Sequence, residues 1–275
     1  MDSSLVRTVG KLFAVFRLVW MERLVYRVNL FLEILSGIFS SLIIVFLWMA
    51  VYRNRSQTVL GDYTLAEMVT YLIGGGLIAS FVQTAADLQE TSLSIQDGSL
   101  SNLLLKPIHP YGIWFVRDLA GKSFFLLLGL CGYLAVLLFF REYVVPPASA
   151  LHLLLALVGT GMAALLQFLL FEALSLLAFW IERTYGILFI MRVIMEVLGG
   201  AIIPLSFFPE ALREVFLNLP FSFLIYLPMA LYLGKIPLQD VPWQFLREIG
   251  WIAFLAVLNV CIWKKGIRQY VAMGD

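Results

Sequence analysis

With 275 residues, 61% hydrophobic and only 13% charged, the chain carries far less charge than a soluble domain, where about a quarter of residues are Asp, Glu, Lys or Arg. That composition excludes an ordinary water-soluble fold and predicts an all-α integral membrane protein. A net charge of +1 supplies no basic field for nucleic acid, so membrane lipid is an expected partner and nucleic acid is not.

At about 100° per residue, Leu5, Val9, Leu12, Phe13, Phe16, Val19 and Trp20 share one helical face, and Arg7, Lys11 and Arg17 share the opposite one. A basic amphipathic helix of this kind lies in a membrane interface, so residues 1–27 are expected to form an interfacial entry helix. The same three cations interrupt any compact apolar run, which argues against a signal peptide. Six segments near the ~20 residues needed to span hydrocarbon follow: Asn29–Tyr52, Ala66–Ala86, Lys122–Phe140, Leu151–Trp180, Gly186–Leu205 and Phe245–Trp263. Trp48, Tyr52, Trp114, Trp180, Trp243 and Trp263 fall near their ends, as an aromatic belt would.

Residues 204–243 are apolar but broken by Pro209, Pro220 and Pro228, and the run from Phe221 to Leu233 is short for a crossing. Two short helices that dip into the membrane and return on the same side fit better than a seventh span, provided protein buries them. Phe207, Phe208, Phe221 and Tyr226 are expected to pack that element. With the amino terminus inside, Arg7, Lys11, Arg17, Arg23, Arg27, Lys106, Arg117, Lys122, Arg183, Lys264, Lys265 and Arg268 outnumber Arg53, Arg55, Arg141, Arg213, Lys235 and Arg247 outside. Six spans with both termini cytoplasmic and the 204–243 element on the outer side satisfy that bias.

Ionisable and polar groups within spans are costly and therefore informative. Arg192 and Glu196 stand four residues apart on one helix, a spacing that predicts mutual neutralisation. Glu172, with Gln167 nearby, lies toward the cytoplasmic end of the fourth span, and Glu33 lies close to Arg27. The alternative for Glu33, Gln167, Glu172, Arg192 and Glu196 is a polar path lined by the spans. Cys131 and Cys261 sit in apolar runs and predict no disulfide; His109 and His152 lack ligand-spaced partners, so neither metal nor cofactor is expected. Gly74-Gly75-Gly76 reads as a close helix contact, and no G-x-x-x-x-G-K-[ST] phosphate loop occurs, so this chain is not expected to hydrolyse ATP.

Residues 87–110 are left as a cytoplasmic loop, and its core reads IQDGSLSNLLLKPIHP. Gly98 breaks one helix, Ser99 is a plausible N-cap for the next, and Pro107 stops it. Leu100, Leu103 and Leu104 form an apolar stripe that lies either in a partner's groove or against the chain's own helices. This pattern, an acidic residue followed by Gly-Ser-Leu and then Leu-Leu-x-x-Pro, resembles the first cytoplasmic loop of ABC-2 type exporter permeases. Asp97, Gly98, Ser99, Leu100, Leu103, Leu104, Leu105 and Pro107 carry the match, and the six-span layout with a broken helix before the last span extends it over nearly the whole chain. The resemblance implies a short permease whose coupling helix docks on a separately encoded ABC ATPase subunit. It also implies a second permease copy or homologue, a bacterial inner membrane, and ATP-driven export of amphiphiles. Rival readings are a proton-coupled secondary transporter, a non-transporting membrane scaffold, and a lipid-acting enzyme built on Asp87, Glu90 and His109, which stand too scattered to convince.

Overall fold

Hydrocarbon offers no partner to a backbone N–H or C=O, so a chain this apolar satisfies them within helices. The computed structural model describes residues 3–25, 27–54, 59–82 and 89–270; the side chains of residues 3–8, 27, 29, 30 and 33 also lie outside what is described. The elements in order are α1 (Ser3–Val25), α2 (Arg27–Arg53), α3 (Leu65–Val82), α4 (Glu90–Gln96), α5 (Leu100–Leu104), α6 (Pro110–Phe139), α7 (Ala150–Ser175), α8 (Tyr185–Leu198), α9 (Glu210–Asn218), α10 (Tyr226–Tyr232) and α11 (Val241–Gly266). A two-residue antiparallel ladder, Val59–Leu60 with Tyr63–Thr64, joins α2 to α3. Among the described residues, five helical stretches are long and apolar enough to cross a membrane: Ile34–Arg53, Leu65–Val82, Pro110–Phe139, Ala150–Phe179 and Val241–Gly266. The all-α membrane class expected from composition is the class observed.

The segment expected as a span over Gly186–Leu205 is shorter as a helix. α8 has 14 residues, about 21 Å of rise, and ends at Gly199-Gly200. Gly200 takes a φ of +81°, which only glycine adopts without strain, and the Tyr71 hydroxyl donates to its carbonyl at 2.7 Å. The helix therefore stops where a buried donor from α3 claims the chain. The expected end of the second span, residues 83–86, lies outside the described residues, as does Asp87.

Within 204–243 the three prolines open helices rather than ending them. Pro209 is the N-cap of α9, Pro220 starts a 3₁₀ turn (Pro220–Phe223), and Pro228 falls in the first turn of α10, where its missing N–H costs nothing. α10 is enclosed: Phe223, Leu224, Ile225, Leu227, Met229, Ala230 and Leu231 are all buried against α7 and α3. The glycines of α3 admit it, since a Cβ at Gly74 would meet Met229 at 2.8 Å and one at Gly75 would meet Ile225 at 3.3 Å. On the opposite side of α3, a Cβ at Gly76 would meet the Tyr133 hydroxyl of α6 at 2.6 Å. Phe207 packs on Trp48 at 4.9 Å and Phe208 on Phe216 at 5.1 Å, the packing role expected of those rings.

α1 runs along α6. Trp20 Nε1 donates to Ser123 Oγ at 3.1 Å, its ring meets Phe124 edge-on at 5.1 Å, and Val19 is buried. Lys11 and Arg17 are exposed, but so are Val9 and Phe13 from the apolar face, which is divided between α6 and the surroundings.

Replacing Tyr71 by Phe leaves the Gly200 carbonyl without its buried donor and should destabilise the fold by about 1 kcal/mol. The expected readout is a fall of a few degrees in the apparent melting temperature of the detergent-solubilised chain; an unchanged value would remove Tyr71 from the account of why α8 stops.

Candidate functional site

The loop between α3 and α6 is built on one glycine. α4 ends at Asp97, and Gly98, with a φ of +78°, turns the chain into α5, the left-handed closure that glycine favours after a helix. Ser99 does not act as the expected N-cap, since it has helical backbone angles and its side chain makes no cap bond. Instead Asp97 Oδ1 accepts from the Ser99 amide at 2.9 Å, and Ser101 Oγ donates to the Gly98 carbonyl at 2.8 Å.

The leucine stripe divides. Leu100 is fully buried with Ile95 against Trp114, Phe168 and Leu176, and Leu103 packs on the same cluster. That half of the stripe roots the loop on the chain's own helices. Leu93 (53% exposed), Leu104 (44%) and Leu105 (85%) point outward, with Asn102, Lys106 and Pro107 also exposed. α11 supplies the floor. Trp263 lies 5.5 Å from Tyr111, 5.9 Å from Trp114 and 5.9 Å from Phe179 between ring centroids. Just beyond α11, Tyr270 Oη donates to the Gly98 carbonyl at 2.7 Å and accepts the Ser101 amide at 3.2 Å.

Polar bonds tie the loop to four further elements. Arg117 of α6 bridges Glu90 at 2.5 Å and Glu22 of α1 at 3.2 Å. Thr91 Oγ1 donates to Glu172 Oε2 of α7 at 3.0 Å, and Gln96 Nε2 donates to Thr184 Oγ1, at the start of α8, at 3.3 Å. Glu172 is thus buried behind the loop rather than reaching water. Its other oxygen has no hydrogen-bond partner among the described residues, and Glu172 lines, with Glu90, Thr91, Trp114 and Asp118, a cavity of about 20 Å³, room for about one water. One turn deeper, Lys122 is 1% exposed and donates to Asp118 at 2.6 Å, to the Ala164 carbonyl at 2.9 Å and to Gln167 Oε1 at 2.9 Å. Lys122 therefore belongs to a buried pair, not to the solvated cations with which its charge groups it in the sequence. An ammonium with three acceptors is a buried charge fully compensated.

The remaining polar positions stay apart from this site. Arg192 and Glu196 form no ion pair within 4.0 Å among the described residues, contrary to their spacing. Arg192 lines a small cavity with Tyr185, Leu188 and Gln89, extending along its aliphatic stem toward the start of α8. Glu196 lines a different and larger cavity beside α2 and α3. Glu33 lies on α2, and its side chain is outside the described residues. Sequence reasoning missed Asp118, Lys122 and Glu248. Glu248 is fully buried in α11, with no hydrogen bond to either carboxylate oxygen among the described residues. The i,i+4 spacing of Asp118 and Lys122 was the signal available for that pair; Glu248 is hidden beside Arg247 at a span's edge.

Removing the Tyr270 hydroxyl (Tyr270→Phe) should loosen the turn without touching the spans. Backbone amides 98–103 are expected to exchange with solvent about tenfold faster, an opening cheaper by the equivalent of one net hydrogen bond. Unaltered protection there would show that the turn stands without Tyr270.

These features are those of a multi-pass membrane protein that holds a two-helix loop, rooted by Leu100 and clamped by Tyr270, against the bases of its spans. No curated protein matches the chain. A family described as ABC-2 family transporter protein matches residues 38–274, which takes in every candidate span except the first four residues of the first, and the whole of the loop. The chain belongs to the ABC-2 transporter family.

Proposed function

We propose that this chain is the permease subunit of an ATP-driven exporter, that two copies or homologues form the translocation pathway, and that each docks on a separate ABC ATPase subunit through the 87–110 loop. The single observation that supports the docking assignment is the divided stripe. One face of the loop is sunk into the base of the bundle, while Leu93, Leu104, Leu105 and Pro107 present apolar surface that no described residue covers. An ATPase that closes on ATP pushes on this exposed face. The bonds Glu90–Arg117, Thr91–Glu172, Gln96–Thr184 and Tyr270–Gly98 carry the displacement to α6, α7, α8 and the end of α11. In this reading the loop and both termini are cytoplasmic, residues 204–243 lie on the outer side, and the membrane is a bacterial plasma membrane. Export of an amphiphile then proceeds past α10 toward that outer side.

Leu105→Asp puts a charge on the docking face without entering the core, and Gly98→Val strains the turn, since a β-branched residue resists a φ of +78°. Purification of the tagged wild-type chain from its native host in mild detergent should bring down a P-loop ATPase in equal stoichiometry, and each variant should lower that recovery at least about tenfold, one buried apolar contact in a small interface being decisive at this scale. Both variants retaining the ATPase would move the docking site elsewhere. A wild-type chain that emerges alone, even after crosslinking, would overturn the exporter reading.

A further inference from the structure

A cavity of about 360 Å³ lies between α2, α3, α6 and the end of α8, away from the loop. That volume sits at the lower end of the ~300–1,000 Å³ typical of small-molecule sites. Its chemistry is one-sided. Among the described residues Glu196 is the only charged one in the lining, and no Lys, Arg or His joins it. The other polar groups are hydroxyls: Ser40 and Ser41 from α2, Ser80 from α3 and Tyr133 from α6.

Two of those hydroxyl protons are already engaged. Ser80 Oγ donates its proton to the Leu77 carbonyl at 2.7 Å, and one of Ser41 and Tyr133 donates to the other at 3.1 Å. Their oxygens keep lone pairs for a donor inside the cavity. A carboxylate among spans is costly unless paired or hydrated, and Arg192 turns into another cavity, so it does not serve as the counter-ion. The rest of the lining is apolar, from Gly37, Gly75, Gly76, Ala79 and Ala201 to the aliphatic side chains of Ile44, Leu72 and Ile202. The helices that frame the cavity expose Phe39 and Ile43 on α2 and Val193 and Val197 on α8, so apolar surface adjoins the polar pocket.

We infer that this cavity receives an amphiphile headed by an ammonium group, with Glu196 as its counter-ion, the hydroxyl oxygens of Ser41, Ser80 and Tyr133 as acceptors, and the alkyl body lying along α2 and α8. An anionic head, whether phosphate, sulfate or carboxylate, finds repulsion and no donor cation there. This inference rests on the permease reading for its meaning as a substrate site, but its test does not need the ATPase.

The test titrates the full chain, purified in maltoside micelles, with a fluorescent alkylammonium and displaces it with unlabelled amphiphiles of equal chain length. Dodecylammonium should displace the probe saturably, while dodecanol and dodecanoate should be at least about tenfold weaker, as expected when a charge-assisted contact is lost. Glu196→Gln should weaken the probe about tenfold, and Ser40→Phe, at an exposed position of α2, should exclude it by filling the cavity; a monodisperse elution profile for each variant shows that the fold is intact. Competition by an ethanolamine-headed phospholipid identifies a lipid head group as the natural source of the ammonium, and its failure beside effective dodecylammonium identifies a free amphiphile. Equal binding to wild type and Glu196→Gln, displacement by dodecanoate as strong as by the ammonium, or no saturable binding would overturn the inference. A chain that binds the ammonium yet recruits no ATPase would overturn the exporter reading alone.

Discussion

A short helix held inside a membrane protein requires that every backbone group around it be satisfied by protein, and the architecture is organised around that demand. α10 is seven residues long, and the chain on both sides of it is irregular. Donors from the spans reach in to complete it. Trp48 of α2 donates to the Ile202 carbonyl, Tyr71 of α3 to Gly200, Arg247 of α11 to Leu217, and Trp251 to Asn218. Ser222 closes its own bend by donating to Leu217 and Leu219, and the Tyr226 amide returns to the Gly199 carbonyl at 3.0 Å. The small residues of α3 follow from the same demand, because a helix without side chains at 74–76 is what allows α10 on one side and Tyr133 on the other to approach.

The loop end of the bundle answers a different problem, that of holding charge where little water reaches. Lys122 and Asp118 stand one helical turn apart on α6 and are neutralised by each other and by α7, so the pair joins two spans rather than burdening one. Glu172, one and a half turns along α7 from Gln167, is approached from outside the bundle by Thr91. The contact between loop and span is therefore a hydrogen bond to a buried carboxylate, which is directional and breaks over a short displacement. Hydrophobic burial of Leu100 and Ile95 supplies affinity between loop and bundle, while Thr91, Gln96 and Arg117 set its position.

Much of this was legible in residue patterns. Continuous apolar runs of helical length mark the spans because lipid contact needs no amphipathic period. Gly98 in a polar stretch marks the turn because only glycine adopts its φ readily. What the pattern did not disclose depends on neighbours distant in the chain. Whether a leucine of the loop faces a partner or its own protein is decided by Trp114, Phe168 and Trp263, which are brought together only by folding. The prolines of 204–243 were read as helix breakers, whereas the first turn of a helix accepts them equally well, and the choice lies with the packing around α10. The spacing of Arg192 and Glu196 permits a pair, but a long side chain follows the most polar surroundings in reach, and each residue has a cavity of its own.

α8 gives these two cavities, and the loop, a common member. Thr184 at its start accepts the side chain of Gln96 from α4, Arg192 lines the cavity next to Gln89, and Glu196 near its end lines the large cavity beside α2 and α3. Twelve residues of continuous helix, about 18 Å, separate Thr184 from Glu196. The far end of α8 stops at Gly199-Gly200, where the Tyr226 amide donates to the Gly199 carbonyl and the Tyr71 hydroxyl to the Gly200 carbonyl, so that end is tied to α3 and to the chain entering α10. Its outer face makes few contacts within the chain, with Ile190, Val193 and Val197 exposed. Its inner face, however, is part of the bundle: Leu188 and Met195 are buried in the core formed with α7, α10 and α11, so the helix that reaches from the loop contact at Thr184 to the carboxylate of Glu196 is held by packing on one side and open on the other.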